Sequence, residues 1–204
     1  MGAQQKQLNS FLQGPILPPL ARFALPLMLS LLLQALYGAV DLAVVGRFAP
    51  TASTAAVATG SQMMQAVTGL VTGLTMGVTV LVGKAVGAQD KAEAARVVAG
   101  QLRLFTLLAL GLTALTVALA PAAADWMNVP EASRAQAVTY LRICGCGMIF
   151  VTAYNGISGV FRGLGNSRSP LLFVAIACAI NVVLDLVFVI QFHMGVAGVA
   201  IATI

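Results

Sequence analysis

Charge is what this sequence has least of. Six acidic and eleven basic residues make up 8% of its 204 positions, where a soluble domain carries about a quarter. That shortage excludes an ordinary solvated surface. With 59% hydrophobic residues and a mean hydropathy of +0.95, it identifies an integral membrane protein. Cysteine is scarce too. Cys144, Cys146 and Cys178 are an odd set inside apolar runs, with no CxxC spacing and no histidine nearby, which excludes a disulfide framework and a zinc site and leaves small packing residues. HExxH, P-loop and GxSxG motifs are missing, so hydrolysis and nucleotide-driven work have no residues to stand on, and the chain does not read as an enzyme. The net charge of +5 does not imply nucleic acid, because the cations are spread between apolar runs and not gathered into a patch with interleaved aromatics.

What is abundant is the long apolar run. A bilayer core needs about 20 mostly apolar residues per helix, and runs near 21–48, 55–82, 97–120, 139–161 and 171–192 satisfy this; a sixth begins near 195 and ends at 204 before it has crossed. The sequence therefore predicts an all-α membrane bundle of six helices with the sixth truncated, as expected of a fragment. Residues 1–20 are too polar for a signal peptide and lack a clear cleavage site, so the first helix is expected to be retained behind an N-terminal segment. The stretches "FAPTAST", "GKAVGAQDK", "APAAADWMNVPEAS" and "RGLGNSRSP" carry the turn chemistry between the runs.

Lys6, Arg22, Lys84, Lys91, Arg96, Arg162 and Arg168 fall on the side of the N-terminus, and Arg47, Arg134 and Arg142, with Asp125 and Glu131, on the other. The positive-inside rule then makes the N-terminus cytoplasmic and puts Trp126 at the outer interface.

Two acids break the apolar runs. Asp41, in "LYGAVDLAVVGRF", lies seven residues before Phe48, and Asp185, in "INVVLDLVFVI", seven before Phe192. At about 1.5 Å per residue both lie roughly 10 Å below the outer surface, and Thr203, on the run descending from that surface, falls at about 12 Å. Asn181 and Asp185 are four apart and share a helix face, while Gln34, Tyr37 and Asp41 lie along one stripe. A carboxylate in hydrocarbon costs at least about 2.5–3.5 kcal/mol, and no lysine or arginine lies in the inner part of either run. Protonation or a bound cation must compensate, since two adjacent acids cannot both ionise without an ion between them. Oxygen ligands from Asp41, Asn181, Asp185 and Thr203 suit a hard cation such as Na⁺, the only metal the sequence brings into question.

Gly69, Gly73 and Gly77 form GxxxGxxxG, read as a close-packing surface for another helix. Gln62 and Gln65 on the second helix, and Tyr154 and Asn155 on the fourth, are candidates for lining a cavity or for bonding between helices. His193 reads as interfacial.

At these residues the sequence resembles the multidrug and toxic compound extrusion (MATE) transporters, most of all the bacterial branch with DinF-like and MepA-like members. "FALPLMLSLLLQALYGAVDLAVVGRF" is similar to the family's first helix, "GKAVGAQDKAEA" to the loop between helices two and three, "SGVFRGLGNSRSP" to the loop between four and five, "NVVLDLVFV" to helix five and "GVAGVAIAT" to the start of helix six. The resemblance implies that residues 21–204 are the N-terminal lobe of a twelve-helix, two-lobe transporter. It also implies a multi-pass protein of the bacterial plasma membrane with a cation site of Asp41, Asn181, Asp185 and Thr203, and Tyr140 nearby.

The implied activity is export of drugs or toxic organic cations, coupled to Na⁺ or H⁺ and needing no other cofactor. The implied partners are membrane lipid and either the missing C-terminal lobe or a second half-size chain. Two rivals remain. A lipid-linked precursor flippase of the same superfamily would be expected to show cations in its cavity, and the inner helix stretches are read as showing none. An intramembrane aspartyl protease needs YD and GxGD motifs, whereas Asp41 follows Val40 and Asp185 follows Leu184.

Overall fold

The computed structural model describes residues 17–204; residues 1–16, which hold Lys6 and most of the expected N-terminal segment, lie outside the described residues. The described residues form α1 (Leu17–Phe48), α2 (Thr51–Gly87), α3 (Lys91–Trp126), α4 (Glu131–Gly163), α5 (Arg168–Leu186), a π-helical turn (Val187–Gln191) and α6 (Gly195–Thr203). Among the described residues five spans are long and apolar enough to cross a membrane, the fifth being α5 with its π turn.

The first four helices extend past the apolar runs. Local chemistry carries them further. The Asp90 side chain accepts from the Glu93 N–H at 2.8 Å, capping α3, which therefore starts at Lys91 and not near 97. At its other end α3 passes through Pro121 to Trp126, although the sequence reading ended this helix at the proline. Ala122, Ala123 and Ala124 are strong helix formers, and Ala123 and Ala124 are buried, so propensity and packing offset the N–H that Pro121 lacks. Gln89 and Asn128 take positive φ (57° and 51°) in the turns that follow α2 and α3. Asp125 and Arg134 join the C-terminal end of α3 to the N-terminal end of α4 through a two-pronged pair at 2.7 and 2.9 Å.

The bundle is arranged around α4, the most buried of the spans. Lipid tails are as apolar as leucine, so burial of apolar surface does not hold these helices together; close packing and interhelical hydrogen bonds must. The α2–α4 seam shows both. Gly159 lies against Thr75 and Gly163 against Val82 and the Thr79 carbonyl, so tightly that a Cβ on either would collide. Across the same seam the Thr79 hydroxyl donates to the Gly159 carbonyl at 3.1 Å.

The GxxxGxxxG stripe is not part of this packing. Gly69, Gly73 and Gly77 are exposed, and a Cβ on any of them would meet nothing within 4 Å among the described residues. The pattern shows that a face admits close approach, but the threonine-lined face of α2 is the one that meets α4.

The end of α5 is irregular. In the π turn the Phe192 N–H reaches back five residues to the Val187 carbonyl at 3.1 Å, which accommodates one residue more than an α-helical turn. His193 and Gly195 then take positive φ (55° and 53°), reversing the chain into α6. Gly198 of α6 seats directly on Phe188 of the π turn, and Val189 joins Val44, Val45, Val196 and Val199 in one core cluster.

Candidate cation site

Asp41 reaches the interior because the buried residues of α1 recur at Asp41, Val44 and Val45, one helical stripe turned toward α5 and α6. On α5, Asn181 and Asp185 are one turn apart and both buried. The third wall is α6, whose Thr203 hydroxyl lies 3.1 Å from Asp41 Oδ2 and 2.8 Å from its own Val199 carbonyl. A hydroxyl has one proton to donate, so Asp41 receives only a shared bond. The Asp41 carboxyl also lies within interacting range of Asp185 and Asn181. All four residues proposed from sequence thus converge.

The site is enclosed: Asp41 is 3% exposed, Asn181 5% and Asp185 0%. Yet Asp41 Oδ1, both Asp185 oxygens, and Asn181 Oδ1 and Nδ2 have no hydrogen-bond partner among the described residues. Among the described residues no lysine or arginine acts on either carboxyl. Buried polar atoms are normally paired, and a buried charge is compensated by an opposite one. A group of enclosed oxygens lacking both has the chemistry to take up a small cation.

Tyr140 forms the back of the site. It is 2% exposed, lies beside Cys144 and within interacting range of the Thr203 hydroxyl, and its ring is seated on Gly60 of α2, where a Cβ would collide with it. The sequence reading placed Tyr140 here but missed Cys144 and Gly60. The four-residue spacing of Tyr140 and Cys144, which puts both on one face of α4, was the available signal for the cysteine; nothing in the sequence marks Gly60.

Other candidates divide. Tyr37, half-buried one turn inward of Asp41, interacts with Asp41 and with Tyr154, and Gln34 lies half-buried further along α1. Asn155 is a helix tie: its side chain accepts from Thr72 at 3.4 Å and donates to the Val151 carbonyl at 2.9 Å. Gln62 and Gln65 are exposed on α2, away from the acids. Two further cations lie in the helices, neither acting on the acids. Arg162 is in the last turn of α4 with its Nε buried and unpartnered, and Arg103 is within the α3 span on an exposed position.

Comparison with known proteins now decides the family. The MatE profile matches residues 26–187, which include both acids and Asn181. The chain belongs to the MATE family. It is 32% identical over 194 residues to the probable multidrug resistance protein YpnP of Bacillus subtilis, covering 95% of this chain and 44% of the relative. It is 22% identical over 202 residues to the multidrug export protein MepA of Staphylococcus aureus, covering 98% and 44%. Among solved structures, a MOP superfamily transporter from Pyrococcus furiosus superposes with a TM-score of 0.84 at 26% identity, over 90% of this chain and 40% of that one. The chain thus spans less than half the length of these MATE relatives, and its six helices correspond to one lobe of the fold. MATE membership, with five crossing spans, makes this a multi-pass membrane protein.

Proposed function

We propose that this chain carries the ion-coupling site of a MATE antiporter that exports organic, often cationic, compounds in exchange for Na⁺ or H⁺. The observation that carries the reading is the enclosed pair Asp41 and Asp185, which among the described residues have three of their four carboxylate oxygens unpartnered and no fixed cation beside them. Na⁺ would take oxygen ligands from both carboxylates, the Asn181 carbonyl and the Thr203 hydroxyl, the donor set a hard cation prefers. A proton held between the two carboxyls would relieve the same repulsion.

Either ion ties together three helices, α1, α5 and α6, and would therefore favour the arrangement in which they are closed around it. A second arrangement with the three helices apart binds the ion less well. That difference in affinity is what an ion gradient converts into transport. The drug-binding cavity would be completed by a second lobe, supplied by a C-terminal half or by a second copy. The multidrug names of YpnP and MepA support the substrate class, and the cation distribution supports a cytoplasmic N-terminus in a bacterial plasma membrane.

The test is ethidium efflux by the intact protein in everted vesicles, with Na⁺ and pH gradients imposed separately. Asp41→Asn and Asp185→Asn are each expected to abolish the ion-dependent component. Undiminished gradient-driven efflux in both variants would remove the basis of the proposal.

A further inference from the structure

The buried face of α3 is drawn by Val97, Gln101, Phe105, Leu108 and Leu112, which pack inward at helical spacing. Arg103 is two residues from both Gln101 and Phe105, so at about 100° per residue it points almost directly away from the bundle. Its neighbours on that outward surface are Leu102 and Leu107, both 70% exposed, and Leu104 and Leu110, 50% and 55% exposed. Among the described residues this is an exposed apolar surface with a guanidinium in it. Arg103 has no ion pair or hydrogen bond among the described residues.

Depth says what lies beside it. Trp126, 74% exposed at the far end of α3, is 23 residues further along the helix, roughly 35 Å at 1.5 Å per residue. An indole of that kind sits at one membrane interface, and the hydrocarbon core is about 30 Å thick. Arg103 is therefore level with the phosphates of the opposite leaflet. Arg96 occupies the same face two turns further out, about 10 Å away. Between them, on the same side, are Ala99, which is exposed, and Gly100, where a Cβ would meet nothing within 4 Å among the described residues. Arg96 is paired with Glu93 at 2.9 Å, so the two arginines together present one uncompensated positive charge over a shallow, small-residue floor.

We propose that Arg103 and Arg96 bind the headgroup phosphate of an anionic phospholipid in the leaflet on the side of the α2–α3 turn. Arg103 supplies a planar fork that matches phosphate oxygens, and the floor at Ala99 and Gly100 lets the headgroup approach the helix. The uncompensated charge selects an anionic headgroup over a zwitterionic one, whose ammonium would be repelled.

Native mass spectrometry of the purified protein tests this with palmitoyl-oleoyl phosphatidylglycerol and the matching phosphatidylcholine as probes. The unmodified protein is expected to retain phosphatidylglycerol preferentially. Arg103→Gln should weaken that retention about fivefold, the worth of one basic residue at an anionic surface, while Arg142→Gln, on α4 toward the other interface, should leave it unchanged. Arg103→Lys keeps the charge without the fork and should retain the preference at reduced strength, which keeps the test valid if the glutamine variant does not fold. Equal retention by Arg103→Gln and the unmodified protein, no preference between the two lipids, or displacement of the lipid by millimolar inorganic phosphate would each overturn the proposal.

Discussion

Thr203 and Asp41, 162 positions apart in sequence, are joined by a 3.1 Å hydrogen bond between α6 and α1. Among the described residues it is the one side-chain hydrogen bond that links members of the cluster on different helices, and it makes α6 a wall of the site. Thr203→Val keeps the side-chain shape and removes the hydroxyl. The apparent affinity for the coupling ion should fall about tenfold, the usual weight of a hydrogen bond to a charged group, read from the midpoint of ion-dependent thermal stabilisation. An unchanged midpoint would mean that the hydroxyl is not a ligand.

Asp185 has no hydrogen-bond partner on either oxygen among the described residues and is fully buried. Asp185→Asn replaces a charge that burial penalises with a neutral group of the same shape. The variant should melt no lower than the unmodified protein in choline chloride. It should also lose the rise in melting temperature expected of the unmodified protein in NaCl or on a pH change, because a ligand stabilises only the state that binds it.

The glycines should respond in opposite directions. A Cβ at position 163 would be 2.7 Å from Val82 Cβ and 2.9 Å from the Thr79 carbonyl oxygen, whereas one at 73 would meet nothing within 4 Å. Gly163→Ala is expected to destabilise the bundle by about 1–3 kcal/mol through overpacking. Gly73→Ala should leave it unchanged or add up to about 1 kcal/mol by improved helix propensity. Thermal unfolding in detergent separates the two.

At the α2–α3 turn, Asp90→Ala removes the cap on the Glu93 N–H. The loss should be about 1 kcal/mol and local. Amide exchange over the first turn of α3 should rise, while exchange around Phe105, in the packed part of the helix, should not.

Helix existence was legible because lipid demands long apolar runs, and counting residues along them set Asp41, Asp185 and Thr203 at one depth, where their side chains in fact meet. Rotation was harder to read. Depth depends only on position along an axis, but contact depends on which way each helix is turned, and GxxxGxxxG looked like a packing face although Thr75 and Thr79 mark the one that packs. The ends of helices escaped for another reason. Pro121 is an unfavourable residue in isolation, and only the buried alanines after it carry the helix on.

The π turn after Asp185 has a genetic consequence. It holds one residue more than an α-helical turn needs, so a one-codon deletion within 187–191 could be absorbed there by ordinary helix. The cost would fall elsewhere: Asp185 would be turned by about 100° relative to the reversal and to α6, away from Thr203 and Asp41. Such a deletion should yield a protein that inserts and folds but has lost its acid pair, so in a library of single-codon deletions this short segment would separate survival of the fold from survival of the activity.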